Sequence, residues 1–185
     1  MSHRSPAAQQ RILNAARAEF ARHGPAGART RRIAELAGVN KQLLHYYFGS
    51  REGLYQALLV DAGARVATAM GQIRLIGLTA VERLRRLLGA QFDLLARERD
   101  LTQLLLQAPG PAAWADTAAA PLVGLLTEGQ ATGFFRDDID PAHHARQAMV
   151  LHLGYFALEP ITGAWAAPAT WRDRTTELVV RGCTW

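Results

Sequence analysis

Between Thr30 and Phe48 two short apolar patterns flank a single glycine, and this spacing constrains the fold more than any other stretch of the chain. A short helix carries Ile33, Ala34 and Leu36, Gly38 interrupts it, and Val39 and Leu44 continue on a second segment. Ile33, Ala37, Val39 and Leu44 close a small core. Ala34 lets two helices approach, and a residue without Cβ suits a turn of positive φ. The predicted unit is a helix-turn-helix whose second helix runs from near Asn40 to near Tyr47. Asn40, Lys41, Gln42 and His45 then face outward.

The rest of the sequence reads as helices punctuated by glycine and proline, with no alternating run bounded by hairpin signals and no fixed-period repeat. A first helix is predicted from Ser5 as N-cap and Pro6, through Ile12, Leu13, Ala16 and Phe20, to a stop at Gly24-Pro25. Thr30 is predicted to cap the second helix. Ser50 with Glu52 opens a long fourth helix through Leu54, Leu58 and Val66 that ends between Gly71 and Gly77. Further helices are predicted over about 79–98, 101–107, 118–132, 141–158 and 168–182, with breaks at Pro109-Gly110-Pro111, Gly133, Pro160 and Pro168. The fold class is all-α: a three-helix head over residues 1–49 and a larger helical domain over 50–185.

Composition excludes several classes. No apolar run approaches the roughly 20 residues of a membrane-spanning helix, and the start, Met1 to Pro6, leads into a polar, Arg-bearing helical pattern instead of a signal-peptide core. The predicted location is the cytoplasm, with no membrane partner. The single cysteine, Cys183, cannot form an internal disulfide or a Cys-based zinc site, and reads as a small buried hydrophobe or a redox thiol. No glycine-rich phosphate loop, Gly-x-Ser-x-Gly elbow or His-Glu-x-x-His is present, and His143-His144 are adjacent on a helix and point apart. No enzyme, metal or cofactor is expected.

Charge separates the two parts. Residues 1–71 carry ten Arg and Lys against four acids, leaving eleven against twelve in the remainder. A basic head on a near-neutral body points to a polyanion at the head. The outward residues of the second turn helix suit the major groove of double-stranded DNA. Arg29, Thr30 and Arg31 at the preceding helix start, and Tyr47 and Arg51 beyond the reading helix, are placed for phosphates on either side. Tyr46 is predicted to fill the head's core, and Tyr47 either the core or a backbone contact.

Residues 11–55 resemble the DNA-binding head of the tetracycline-repressor (TetR) family. The likeness is carried by Arg11-Ile12-Leu13, Ala15-Ala16, Phe20, Gly24, Thr30, Ile33-Ala34, Ala37-Gly38-Val39, Tyr46-Tyr47-Phe48, Ser50-Arg51-Glu52 and Leu54-Tyr55. His45 stands where the family more often has tyrosine, and Arg51 where lysine is commoner. In the body, Glu128-Gly129-Gln130, Gly133 and Phe135-Arg136 resemble a turn of many members.

The resemblance implies a transcription regulator, by default a repressor released from its operator by a small-molecule effector. It also implies a homodimer through the last two long helices. Ala145, Ala148, Met149, His152, Tyr155 and Phe156 form one apolar stripe there, Leu178 and Val179 start another, and Trp171 is an anchor. The alternative is that these stripes close the chain's own core. Candidate effector-lining residues are Phe92, Leu95, Leu104, Leu105, Gln107, Trp114, Leu122, Leu126, His152 and Tyr155. A second reading keeps the DNA-binding head on an architectural or partner-docked body without a small-molecule pocket.

Overall fold

The computed structural model describes residues 6–109, 113–162 and 167–185. All its regular structure is helical: α1 (Pro6–Gly27), α2 (Thr30–Ala37), α3 (Lys41–Phe48), α4 (Arg51–Gly71), α5 (Ala80–Arg97), α6 (Arg99–Leu106), α7 (Ala113–Ala131), α8 (Pro141–Thr162) and α9 (Pro168–Cys183). Helix α1 packs on α2, α4 and α6; α4 lies along α7, α7 along α8, and α9 closes the body against α5 and α8.

The head forms as its apolar spacing dictates. Ile33, Ala34, Ala37 and Leu44 are buried with Ile12, Ala16 and Phe20 of α1, and Val39 packs against them. Gly38 adopts φ 63° and ψ 39°, and the following chain is fixed by the Val39 N–H donating to Ala34 O (3.0 Å). A side chain at Gly38 would meet no clash, so the glycine is required by its backbone angle alone.

Several boundaries differ from the sequence reading, each for a local reason. Thr30 is not the N-cap of α2; Arg29 holds that position without a side-chain bond. The buried carboxylate of Glu19 reaches across from α1 to accept the Arg29 N–H (3.2 Å), which frees Thr30 to enter the first turn. Helix α1 does not stop at Gly24-Pro25. It kinks at Gly24 (φ 69°, ψ 174°), and Pro25 starts one more turn to Gly27. The predicted cap Ser5 lies outside the described residues.

In the body, α7 begins at Ala113, five residues before the predicted start, because the alanine-rich stretch with Asp116 in its first turn favours helix. Pro160 does not end α8; it sits near the C-terminal end, and the helix runs on to Thr162. Of the predicted break at Pro109-Gly110-Pro111, residues 110–111 lie outside the described residues. The turn after α7 explains its own sequence. The ring of Phe135 packs where a Cβ on Gly129 would stand, and Gln130 Nε2 donates to Arg136 O (2.8 Å) and Ile139 O (2.9 Å). Burial pushes the Cys183 thiol up to about 11, which makes it a packed hydrophobe with little thiolate character.

Candidate nucleic-acid interface and effector interior

Helix α3 presents its exposed face by phase. Leu44 is the residue it buries, so Lys41, Gln42 and His45 are left exposed on the side away from α1. Asn40 is exposed as well, but its Oδ1 accepts the Leu43 N–H (2.7 Å) and holds the start of the helix. Tyr47 is half-buried against Phe48 and the head core. Tyr46 does not fill the core as predicted: it is 61% exposed. Two residues on from Leu44 is about 200° around a helix, which places Tyr46 opposite the core contact. That phase was readable from Leu44, and it adds Tyr46 to the outward set.

The flanking cations are arranged on both sides of α3. Arg29 and Arg31 are exposed at the start of α2, with Thr30 half-buried between them, and Arg31 Nε donates to Glu35 one turn on (3.2 Å). Arg51, at the first turn of α4, donates through a terminal guanidinium nitrogen to Ala26 O (2.8 Å) and pairs with Glu52 (3.0 Å). It therefore fixes α4 to the last turn of α1 as well as standing just beyond the end of α3. The Glu52 carboxyl is held below its usual range by a backbone hydrogen bond at the helix start and then by Arg51.

Most of the residues expected to line an effector site are gathered in the body core. Phe92, Leu95, Leu104, Leu105, Trp114, Leu122, Leu126, His152 and Tyr155 are all buried. Phe92 meets His152 edge-on (centroids 5.5 Å) and also contacts Tyr155 (5.4 Å) and Phe156 (5.2 Å). Gln107 lies apart from this group: at the end of α6 its Nε2 donates to Ala21 O of α1 (3.4 Å). The sequence reading missed Gln91, whose Oε1 lies 2.9 Å from His152 Nδ1 in the interior. A lone glutamine on an apolar helix face gives no sign of its partner in sequence. Burial lowers the His152 pKa to about 4, so the ring is neutral near pH 7.

The C-terminal stripe also resolves differently. Ala145, Ala148, Met149, His152, Tyr155 and Phe156 face the chain's own core, and Trp171 packs on Tyr155 (5.6 Å) and donates to Leu151 O (3.4 Å). Helix α8 is apolar on its outer side too. Val150 (68%), Leu158 and Ile161 (80%) are exposed, as is Leu178 (61%) of α9. Between the two helices a groove of about 570 Å³ is lined by His143, Gln147, Val150, Leu151, Leu178 and Val179, among others.

Residues 12–58, which run from within α1 through α2 and α3 into α4, match the family described as bacterial regulatory proteins, tetR family. Over 156 residues the chain is 30% identical to the HTH-type transcriptional repressor NicS of Pseudomonas putida, covering 78% of this chain and 73% of that one. The chain belongs to the TetR family. This TetR-family protein is thus a DNA-binding transcriptional regulator with a helix-turn-helix head and a helical C-terminal domain. The HTH-type transcriptional repressor SCO4008 of Streptomyces coelicolor is 52% identical over 60 residues, 32% of this chain and 31% of that one. The whole fold is shared with the transcriptional regulator FadR of Bacillus subtilis, solved in complex with stearoyl-CoA, at TM-score 0.75 and 20% identity over 94% of this chain and 98% of that one. Among the described residues no helix is long and apolar enough to cross a membrane.

Proposed function

We propose that this regulator is a homodimeric repressor that reads operator DNA with α3 and leaves it when a small molecule enters the body. The observation that carries the reading is the exposed face of α3, where Lys41, Gln42, His45 and Tyr46 stand together above a fully buried Leu44. Gln42, His45 and Tyr46 reach base edges; Lys41 and Asn40, with Arg29, Thr30, Arg31, Tyr47 and Arg51 around them, hold phosphates and set the register. The second copy sits on the outer face of α8 and α9, because the exposed apolar surface from Val150 and Leu178 to Ile161 needs cover.

Release follows from geometry. Two reading helices must stand about 34–36 Å apart to enter successive major grooves, so a small rotation of each head breaks the match. Helix α4 starts beside the DNA-facing surface and runs into the body, tied to α1 by Arg17–Asp61 (3.2 Å) and to the α5–α6 junction by Arg65–Glu98 (3.1 Å). Gln107 adds a second link, from α6 to α1. A ligand that prefers one setting of these links changes operator affinity by its differential affinity for the two states, about 1–3 kcal/mol.

The test is fluorescence anisotropy with the DNA upstream of the gene, with and without added extracts of candidate effectors. Tight, salt-sensitive binding lost in Gln42→Ala with His45→Ala supports the assignment of α3. Undiminished binding by that variant removes it.

A further inference from the structure

The Gln91–His152 pair brings two of the unsatisfied polar atoms of the body interior together on side chains that are both fully buried. Both side chains are fully buried, and they meet in one hydrogen bond, Gln91 Oε1 to His152 Nδ1 at 2.9 Å. Gln91 Nε2 and His152 Nε2 have no hydrogen-bond partner in the protein. A buried donor or acceptor left in that condition costs about 1–3 kcal/mol, so such groups are normally matched.

The chemistry of what would match them is fixed by counting. If the amide oxygen accepts from Nδ1–H, the neutral ring leaves Nε2 as an acceptor and the amide NH₂ as a donor. If the amide is turned so that its NH₂ donates to Nδ1, the ring keeps Nε2–H as a donor and the amide oxygen becomes the acceptor. Either arrangement leaves one acceptor and at least one donor on two side chains joined to each other. The surroundings are aromatic, from Phe92, Tyr155 and Phe156. Among the described residues the only buried carboxylate, lysine or arginine is Glu19, which belongs to the head. Of the buried threonine hydroxyls of the body, Thr102 Oγ1 donates to Leu95 O (2.6 Å) and Thr175 Oγ1 to Trp171 O (2.8 Å), while Thr176 Oγ1 has no partner.

Building on the reading of the body as a ligand sensor, we infer that Gln91 and His152 are the polar anchor of the effector, and that the effector is an uncharged, largely apolar molecule with a hydroxyl or primary or secondary amide that both donates and accepts. An anion finds no counter-charge in this interior, and a carboxylate offers acceptors only. Burial that keeps the His152 ring neutral supports the same conclusion. A ligand group entering here replaces two unsatisfied atoms by two hydrogen bonds, which gives it a preference for the setting of the body that admits it.

The experiment uses the full chain and matched probes: benzamide, N,N-dimethylbenzamide and benzoate, titrated by calorimetry, with the ring ¹⁵N signals of His152 followed in parallel. Benzamide is expected to bind about tenfold more tightly than the other two, the gap of a single hydrogen bond, and to shift the His152 signals. In Gln91→Met with His152→Leu, where both polar groups go and neither is stranded, that preference is expected to vanish. Equal binding of the three probes by the unmodified protein, no binding of any of them at millimolar concentration, or unmoved His152 signals on binding overturns the anchor, and these readouts need no variant to fold. A preference that survives in the double variant overturns it too. Release from operator DNA separates this result from the broader reading: if the dimethyl amide or benzoate releases both proteins alike, the body senses ligand without this pair.

Discussion

The outer face of α3 and the outer face of α8 from Val150 to Ile161 are both exposed, yet their chemistry differs. The first shows Lys41, Gln42, His45 and Tyr46; the second shows Val150, Leu158 and Ile161, joined by Leu178 of α9. The contrast supports the proposed partners, operator DNA for the first face and a second copy for the other. Groups with donors, acceptors and charge stay hydrated until a polyanion replaces their water, whereas branched aliphatics in a continuous patch are stable only when covered by another apolar surface.

The sharpest way to break this contrast is to make the second face resemble the first. Val150→Glu combined with Leu178→Glu is expected to turn a dimer into a monomer of 20.2 kDa by sedimentation. Operator affinity should fall by about a hundredfold or more, because two heads no longer bind as one unit. A double variant that remains dimeric would move the interface elsewhere.

The interior between the two faces has its own signature. His152 titrates near 6.5 when unfolded and near 4 when folded, so the unfolded chain takes up the proton first. Stability is expected to be complete above about pH 6.5, to fall as the pH drops towards 4, and to lose about 3 kcal/mol from this group in all. Denaturant melts across that window should show the slope in the unmodified protein and a flatter profile in Gln91→Met with His152→Leu.

Smaller effects separate the residues of α3 itself. Gln42→Ala should cost about 1–3 kcal/mol of operator binding and relax preference at one base position in a randomised-site selection. Tyr46→Ala should weaken operator binding with an unchanged melting temperature, while Tyr47→Ala should lower the melting temperature, since only Tyr47 packs on the head core. Lys41→Ala should act on all DNA alike and lower the salt slope by about one unit per chain. A slope that does not move would place Lys41 off the backbone.

The head was legible in the sequence because its signals are local. Ile33, Ala34, Ala37 and Leu44 fall at helix spacing around a glycine that takes φ 63°, and the polar residues between them are outward by exclusion. The same local reading placed Thr30 as a cap, but the helix starts one residue earlier, with Arg29 in the cap position and its N–H held by Glu19 of α1. The aromatics and leucines offered as effector-lining candidates are buried together in the body, since apolar periodicity marks what is hidden.

Sequence could not say against what they are hidden. Helix α8 is apolar around most of its circumference, and periodicity cannot choose which side faces the chain's own core when both sides qualify. Tertiary packing decided it: Ala148, His152 and Tyr155 turn inward against α5 and α7, and Val150 is left outside. The pairing of Gln91 with His152, 61 residues apart, was likewise settled only by the crossing of α5 and α8, because a hydrogen bond between distant helices leaves no period in either of them.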